Sequence, residues 1–279
     1  MRKKPIVALA YDFDGTLAPG NMQEHSFLPN IGMSPAEFWK LADELEKKHE
    51  ADRILTYMNL MLNKARAADV SIRRQDFINC GESIKLYKGV KTWFKSINKY
   101  GQDLGLKVEH YVISSGLREM IEGTPISHEF QKIYASSFKY DSSGVAEWPA
   151  TAVNFTTKTQ YLFRINKGAF DVYDNVKINK FVRMDERHIP FNRIIFIGDG
   201  ETDIPCFSLV KNLGGHSIAV YKPNTHGTKI KAQQLIKDGR VNFVVKADYS
   251  NKSEIMNIVK AIINKIASDC ELDYLGKQE

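Results

Sequence analysis

Short apolar runs alternate with stretches of helical period along most of this chain. Residues 6–11 (IVALAY) form a compact apolar run that stops at an acidic, glycine-containing turn, the pattern of a buried parallel strand. Residues 90–99 read as a helix, and residues 108–113 form a second apolar run that stops at Ser114-Ser115-Gly116. Residues 132–138 predict another strand. The turn Asp141-Ser142-Ser143-Gly144 then sends a return arm through 145–148. A helix is predicted over 157–165, and a strongly apolar strand over 193–197 ends at Gly198-Asp199-Gly200. Two further strands, 217–221 and 242–246, bracket a helix at 229–237. Ile255, Ile258, Val259, Ile262, Ile263 and Ile266 mark the buried stripe of a last helix. Strands alternating with helices predict an α/β fold, a doubly wound parallel sheet covered on both faces. Residues 168–192 carry no readable period.

The stretch between the first two strands has a different character. Ser34-Pro35-Ala36-Glu37 supplies an N-cap, a proline at the first helical position and an acid at the third. Ile54, Tyr57, Met58, Met61, Leu62 and Ala65 then recur at steps of three and four. Residues 18–85 therefore read as a smaller helical domain inserted after the first strand, with 1–17 and 86–279 forming the α/β core.

The 279 residues are 43% hydrophobic and 26% charged, with 39 basic against 33 acidic residues, a net charge of +6. That is ordinary globular usage and excludes a disordered or disulfide-stapled chain. The positive balance is diffuse and accompanied by no recognition motif, so no nucleic-acid partner is expected. The opening apolar run is too short for a signal peptide or a membrane span, and no membrane partner is expected. Cys80, Cys206 and Cys270 are far apart and form no CxxC pair. This points to a reducing compartment, the cytoplasm, and away from structural zinc.

The chemistry sits at strand ends. Asp12-Phe13-Asp14-Gly15-Thr16, Ser114-Ser115-Gly116 and Gly198-Asp199-Gly200-Glu201-Thr202-Asp203 each follow a predicted strand. In a parallel sheet these ends share one edge, where ligands bind. Asp12, Asp14, Asp199 and Asp203 would repel one another there unless a cation joined them, and hard oxygen donors suit Mg²⁺, often bridged to a phosphate. A carboxylate beside that ion can attack phosphorus. The phosphoryl group would need the Ser114 hydroxyl, N–H groups near Ser115 and Gly116, and a lysine. Lys158 is the candidate, with Lys167 and Lys180 as alternatives.

These motifs resemble the haloacid dehalogenase (HAD) superfamily, and within it the phosphoserine-phosphatase-like phosphatases. DFDGTL (Asp12 to Leu17) is similar to the family's first motif, YVISSG to its second, Lys158 in TTKTQ to its third and IGDGETD to its fourth. The resemblance implies a Mg²⁺-dependent phosphomonoesterase acting on a small phosphorylated metabolite. Asp12 would be the nucleophile and Asp14 the general acid and base, with its backbone carbonyl on the metal. Thr16 would orient the aspartates, and Ser114, Ser115 and Gly116 would bind phosphate. Lys158 would neutralise charge, Asp199 would ligate Mg²⁺, and Asp203 would stand just behind it. The 18–85 insert resembles the family's C1 cap, which reads the leaving group. Ala18-Pro19-Gly20-Asn21 departs from phosphoserine phosphatases, which carry a substrate-holding glutamate there; here Glu24 comes later. Their cap arginine could match Arg53, Arg66, Arg73 or Arg74. A phosphotransferase, a phosphomutase or a non-catalytic binding protein on this fold are the alternative readings.

Overall fold

A computed structural model describes residues 4–276. Seven strands form one sheet: β1 (Ile6–Tyr11), β2 (Lys107–Leu117), β3 (Lys132–Tyr140), β4 (Ala146–Thr151), β5 (Ile194–Gly198), β6 (His216–Tyr221) and β7 (Phe243–Lys246). Their order is β4-β3-β2-β1-β5-β6-β7. All neighbours are parallel except β4, which returns antiparallel to β3 at one edge. The chain winds first to one side of β1, through β2, and later to the other, through β5. The ends of these three adjacent strands therefore border one crevice.

Eleven helices accompany the sheet among the described residues. They are α1 (Phe27–Asn30), α2 (Pro35–His49), α3 (Arg53–Ala67), α4 (Arg74–Glu82), α5 (Val90–Asp103), α6 (Arg118–Glu122), α7 (Phe155–Lys167), α8 (Asn175–Asn179), α9 (Ile204–Asn212), α10 (Thr228–Lys237) and α11 (Glu254–Leu275). The period of two along β1 divides the core. Val7, Leu9 and Tyr11 pack with Trp93 of α5 and Ile263 of α11, whereas Ile6, Ala8 and Ala10 pack with Leu162 of α7 and Phe207 of α9. None of these helices is long and apolar enough to cross a membrane.

Residues 18–85 carry α1 to α4. Ser34 and Glu37 close the expected capping box on α2, and Ile54, Tyr57, Met58, Met61, Leu62 and Ala65 are buried on α3. The Tyr87 N–H donates to the Leu17 carbonyl at 2.9 Å, so the two ends of the insert meet. Its last part is bound to the core through the backbone. Ala146 N donates to Ile72 O (3.0 Å) and Arg74 N to Gly144 O (2.8 Å), joining the loop before α4 to the β3–β4 hairpin. Helix α4 also crosses α6 at glycine contacts. A Cβ on Gly81 would lie 2.0 Å from the Met120 carbonyl oxygen, and one on Gly123 would lie 1.8 Å from that of Ile78.

Two elements differ from the sequence expectation. Strand β2 does not stop at residue 113 but continues to Leu117, with a register shift against β3 between Ser114 and Leu117. The helix after it, α6, is only five residues long. The bulge lets the chain keep pairing with β3 while turning its backbone toward the crevice. The 168–192 stretch has little regular structure: α8 and two short 3₁₀ turns.

Under the sheet's centre lies a buried polar chain. Trp93 Nε1–H donates to Tyr11 Oη (2.8 Å), Tyr11 O–H to His110 Nδ1 (2.9 Å), and His110 Nε2–H to Asn98 Oδ1 (2.9 Å). Every member is satisfied only while His110 is neutral.

Two outcomes follow from this packing. Gly123→Ala should destabilise the protein by about 1–3 kcal/mol, measured by urea unfolding, because the new methyl meets a backbone carbonyl that cannot step aside. Burial depresses the His110 imidazole to about 3, against 6.5 for an ordinary histidine. The unfolded chain therefore takes up this proton first, and its contribution to stability is complete above pH 6.5 and declines as pH falls toward 3. His110→Gln should flatten the fall in unfolding free energy between those limits; an unchanged slope would assign the acid sensitivity elsewhere.

Candidate active site

The DFDGTL turn is shaped by its own backbone. The Phe13 carbonyl accepts from the N–H groups of Thr16 (3.3 Å), Leu17 (2.8 Å) and Ala18 (3.1 Å), and Gly15 adopts φ +76°. Gly15 is also a close-approach position: a Cβ there would lie 2.0 Å from Asp199 Oδ2. Only glycine lets the two loops come so near. Asp12 leaves β1 still tied to the sheet, its N–H donating to the Ile197 carbonyl at 2.8 Å.

Carboxylate oxygens of Asp12, Asp199 and Asp203 lie within 4.8 Å of one another. Lys158, fully buried on the first turns of α7, donates Nζ to Asp12 Oδ1 (3.0 Å), Asp203 Oδ1 (2.7 Å) and Thr202 Oγ1 (3.3 Å). The other oxygen of Asp203 accepts from the Asp199 N–H (3.1 Å) and the Gly200 N–H (3.3 Å). Asp203 thus holds the 199–200 loop from behind while pairing with the lysine. Lys167 and Lys180 lie elsewhere: the Lys167 ammonium binds the Ile178 and Lys180 carbonyls.

The carboxyl group of Asp14 is outside the three-aspartate cluster and accepts from the Met22 N–H at 3.0 Å. Ser114 is buried, and its Oγ accepts from the Gly116 N–H at 3.1 Å. The Ser115 and Thr16 hydroxyls are buried without a hydrogen-bond partner. The orienting bond expected from Thr16 is therefore not made; its carbonyl instead accepts from Tyr249 O–H at 2.9 Å, fixing the turn from below.

Burial and crowding set the electrostatics. Burial first, then the Asp203 charge, pushes the Asp12 carboxyl up to about 6, against the pull of Lys158. Asp199 is raised well above the ordinary range by burial and by Asp12 and Asp203, and Asp14 by burial and by Asp12. For Lys158, burial alone would favour the neutral amine, but Asp12 and Asp203 outweigh it and hold the ammonium well above a usual lysine. One lysine stands among carboxyl groups that burial and their mutual repulsion make reluctant to ionise together. An all-oxygen donor set of this kind fits a hard divalent cation such as Mg²⁺, whose charge would favour their ionised forms.

Several residues at the site had no signal in the sequence. The Met22 N–H holds Asp14, its Sδ accepts from the Leu117 N–H at 3.1 Å, and a Cβ on Gly116 would lie 2.1 Å from its methyl. Tyr57 of α3 donates its hydroxyl to the Ser115 carbonyl at 2.7 Å. Asp52, at the N-cap of α3, accepts from the Asn154 side-chain amide at the N-cap of α7. These links lay the insert over the crevice. The four arginines considered as substrate ligands are engaged by the protein: Arg53 with Asp43, Arg66 with the Ala146 carbonyl, Arg73 with the Ser143 carbonyl and Arg74 with Glu122. Glu24 accepts from Asn21 (2.7 Å) and Trp39 (2.8 Å).

A doubly wound sheet with an acidic crevice at its strand ends and a helical insert above it is the architecture of a hydrolase class. A sequence profile of haloacid dehalogenase-like hydrolases matches residues 9–208, and the chain belongs to that family. It is 28% identical over 282 residues to an uncharacterised protein of Borreliella burgdorferi, covering 91% of this chain and 95% of that one. Among solved structures, a substrate-bound phosphoserine phosphatase shares the fold with a TM-score of 0.55 at 15% identity, covering 94% of this chain and 99% of that one. A HAD-family hydrolase of Salmonella enterica serovar Typhi gives 0.55 at 14%, covering 88% and 71%.

The Asp203 contacts carry a stability prediction. Asp203→Asn removes the charge that offsets Lys158 and cannot accept from both the lysine and the two backbone N–H groups as before. It should cost about 3 kcal/mol in urea unfolding, the range for breaking a buried ion pair.

Proposed function

We propose that this hydrolase is a Mg²⁺-dependent phosphomonoesterase for a small phosphorylated metabolite, working through an aspartyl-phosphate on Asp12. The observation that carries this reading is the separation of roles among the acids. Asp12, Asp199 and Asp203 gather around Lys158, whereas Asp14 is held apart by the Met22 N–H. Asp12, Asp199 and the Asp14 carbonyl would hold the ion, with Asp203 supporting them from behind. When bound, Mg²⁺ supplies a positive charge that offsets the aspartates and the phosphoryl oxygens.

An Asp12 carboxylate oxygen attacks phosphorus, and the bond from phosphorus to the ester oxygen breaks. Burial favours the protonated form of Asp14, so this carboxyl can give its proton to the leaving oxygen. The carboxylate left on Asp14 then takes a proton from water. That water's oxygen attacks phosphorus, the bond to Asp12 breaks, and inorganic phosphate is released. Lys158 stays beside Asp12 throughout and balances charge on the oxygen it touches. The Ser114 hydroxyl binds the phosphoryl oxygens, and the Gly116 N–H, which donates to Ser114 Oγ, orients that hydroxyl. The insert covers the crevice and restricts water to the hydrolytic step. Because Arg53, Arg66, Arg73 and Arg74 all have protein partners, the insert offers none of the four as an unengaged carboxylate receptor, and the proposed substrate class is not narrowed to phosphoserine.

The test is phosphate release across phosphorylated sugars, amino acids, nucleotides and lipid headgroups, with Mg²⁺ present. Release should stop with EDTA and return with added Mg²⁺. It should fall to background in Asp12→Asn and by about 10²–10⁴-fold in Asp14→Asn. A peptide containing Asp12 should gain the mass of one phosphoryl group during turnover. Near-native release by Asp12→Asn, or indifference to chelation, would overturn the reading.

A further inference from the structure

Residues 168–192 follow α7, which starts at the candidate active site and carries the chain toward the opposite edge of the sheet. There the segment rests on the early residues of β2 and β3. Phe170 stacks on Tyr111, its carbonyl accepts from Tyr134 O–H (3.1 Å), and Asp171 pairs with Lys132 (3.2 Å).

Ala169 and Ile189 are buried at its two ends; between them the anchoring named here is polar and acts on the backbone. The buried Arg164 guanidinium donates to the carbonyls of Asp171 (2.7 Å) and Val172 (2.8 Å). Lys167 Nζ donates to those of Ile178 (2.6 Å) and Lys180 (3.0 Å), and Arg187 to that of Val182 (2.8 Å). Cations that could have stayed in water are used to hold the main chain in place. Five apolar side chains are meanwhile left outside: Val172 is 42% exposed, and Tyr173, Val176, Phe181 and Met184 are 83–85% exposed. A loop that merely connected α7 to β5 would be expected to bury such side chains or to be polar. Here five large apolar groups within thirteen residues are presented to solvent on a fixed support.

We propose that this arm is a self-association surface, and that its occupant is the same arm of a second copy of the chain. Two observations select that occupant. The exposed apolar side chains amount to on the order of 600 Å², near the roughly 800 Å² each partner contributes to a standard stable interface. Between residues 171 and 187 four acidic and four basic side chains balance to zero, in a chain whose net charge is +6. A surface for anionic lipid or nucleic acid would concentrate the positive surplus. With Asp171 paired to Lys132 and Asp185 to Arg183 within the chain, the patch carries no net charge and does not repel its own copy about a two-fold axis. The arm lies at the sheet edge away from Asp12, so pairing leaves both crevices open.

Sedimentation velocity of the full chain over a range of micromolar concentrations tests this. The wild type should be a dimer, and Val176→Asp/Phe181→Asp should raise its dissociation constant at least about 100-fold with an unchanged thermal melt. Tyr173→Lys, a single change at an exposed position, should weaken it in the same direction and serves if the double variant melts early. A wild type that stays monomeric throughout overturns the proposal, as does a dimer indifferent to all three substitutions. Co-sedimentation of a monomer with phosphatidylglycerol vesicles, lost in the same variants, overturns it in favour of a lipid surface.

Discussion

The site depends on one buried ammonium. Lys158 is fully buried, away from bulk solvent, and its charge persists because Asp12 and Asp203 each lend an oxygen within hydrogen-bond distance. The same contact orders the acids. By pairing with one oxygen of Asp203 it leaves the other to bind the N–H groups of residues 199 and 200, and so sets where Asp199 points. By touching one oxygen of Asp12 it fixes the rotation of that carboxylate. Glycine at position 15 allows the two acidic loops to approach, and the lysine makes that approach tolerable.

A second constraint acts on the insert. Its α3 reaches the crevice through Tyr57 and Asp52, while its α4 is joined to α6 and to the β3–β4 hairpin by backbone contacts. The glycine crossing at positions 81 and 123 admits no side chain between the helices. The part of the insert that follows α3 is thereby continuous with the core. Helix α3 is held as well: it packs along β4, and its Arg66 donates to the Ala146 carbonyl.

Periodicity made the strands and long helices legible, because burial on one or both faces imposes a repeat that each residue reports independently. The two acidic turns were legible for a similar reason: Asp and Gly after an apolar run mark a chain that leaves its strand in a tight turn. Met22, Tyr57 and Asn154 left no such trace. Each reaches the site by a contact between distant segments, and a methionine or tyrosine on a helical stripe looks the same whether it faces core or crevice. The end of β2 was misread because Ser-Ser-Gly has turn composition, yet pairing with β3 carries the strand through a bulge.

From the order of residues alone came the α/β class and the expectation that residues 12, 114 and 199 lie at one sheet edge, since parallel strands oblige their ends to meet. Tertiary structure alone decided which lysine joins them, which acid stands apart, and that the threonine of the first turn supports it through its carbonyl. Those outcomes rest on distances of a few ångströms between segments as far apart in the chain as Asp12 and Lys158 or Thr16 and Tyr249, and no local pattern encodes such a distance.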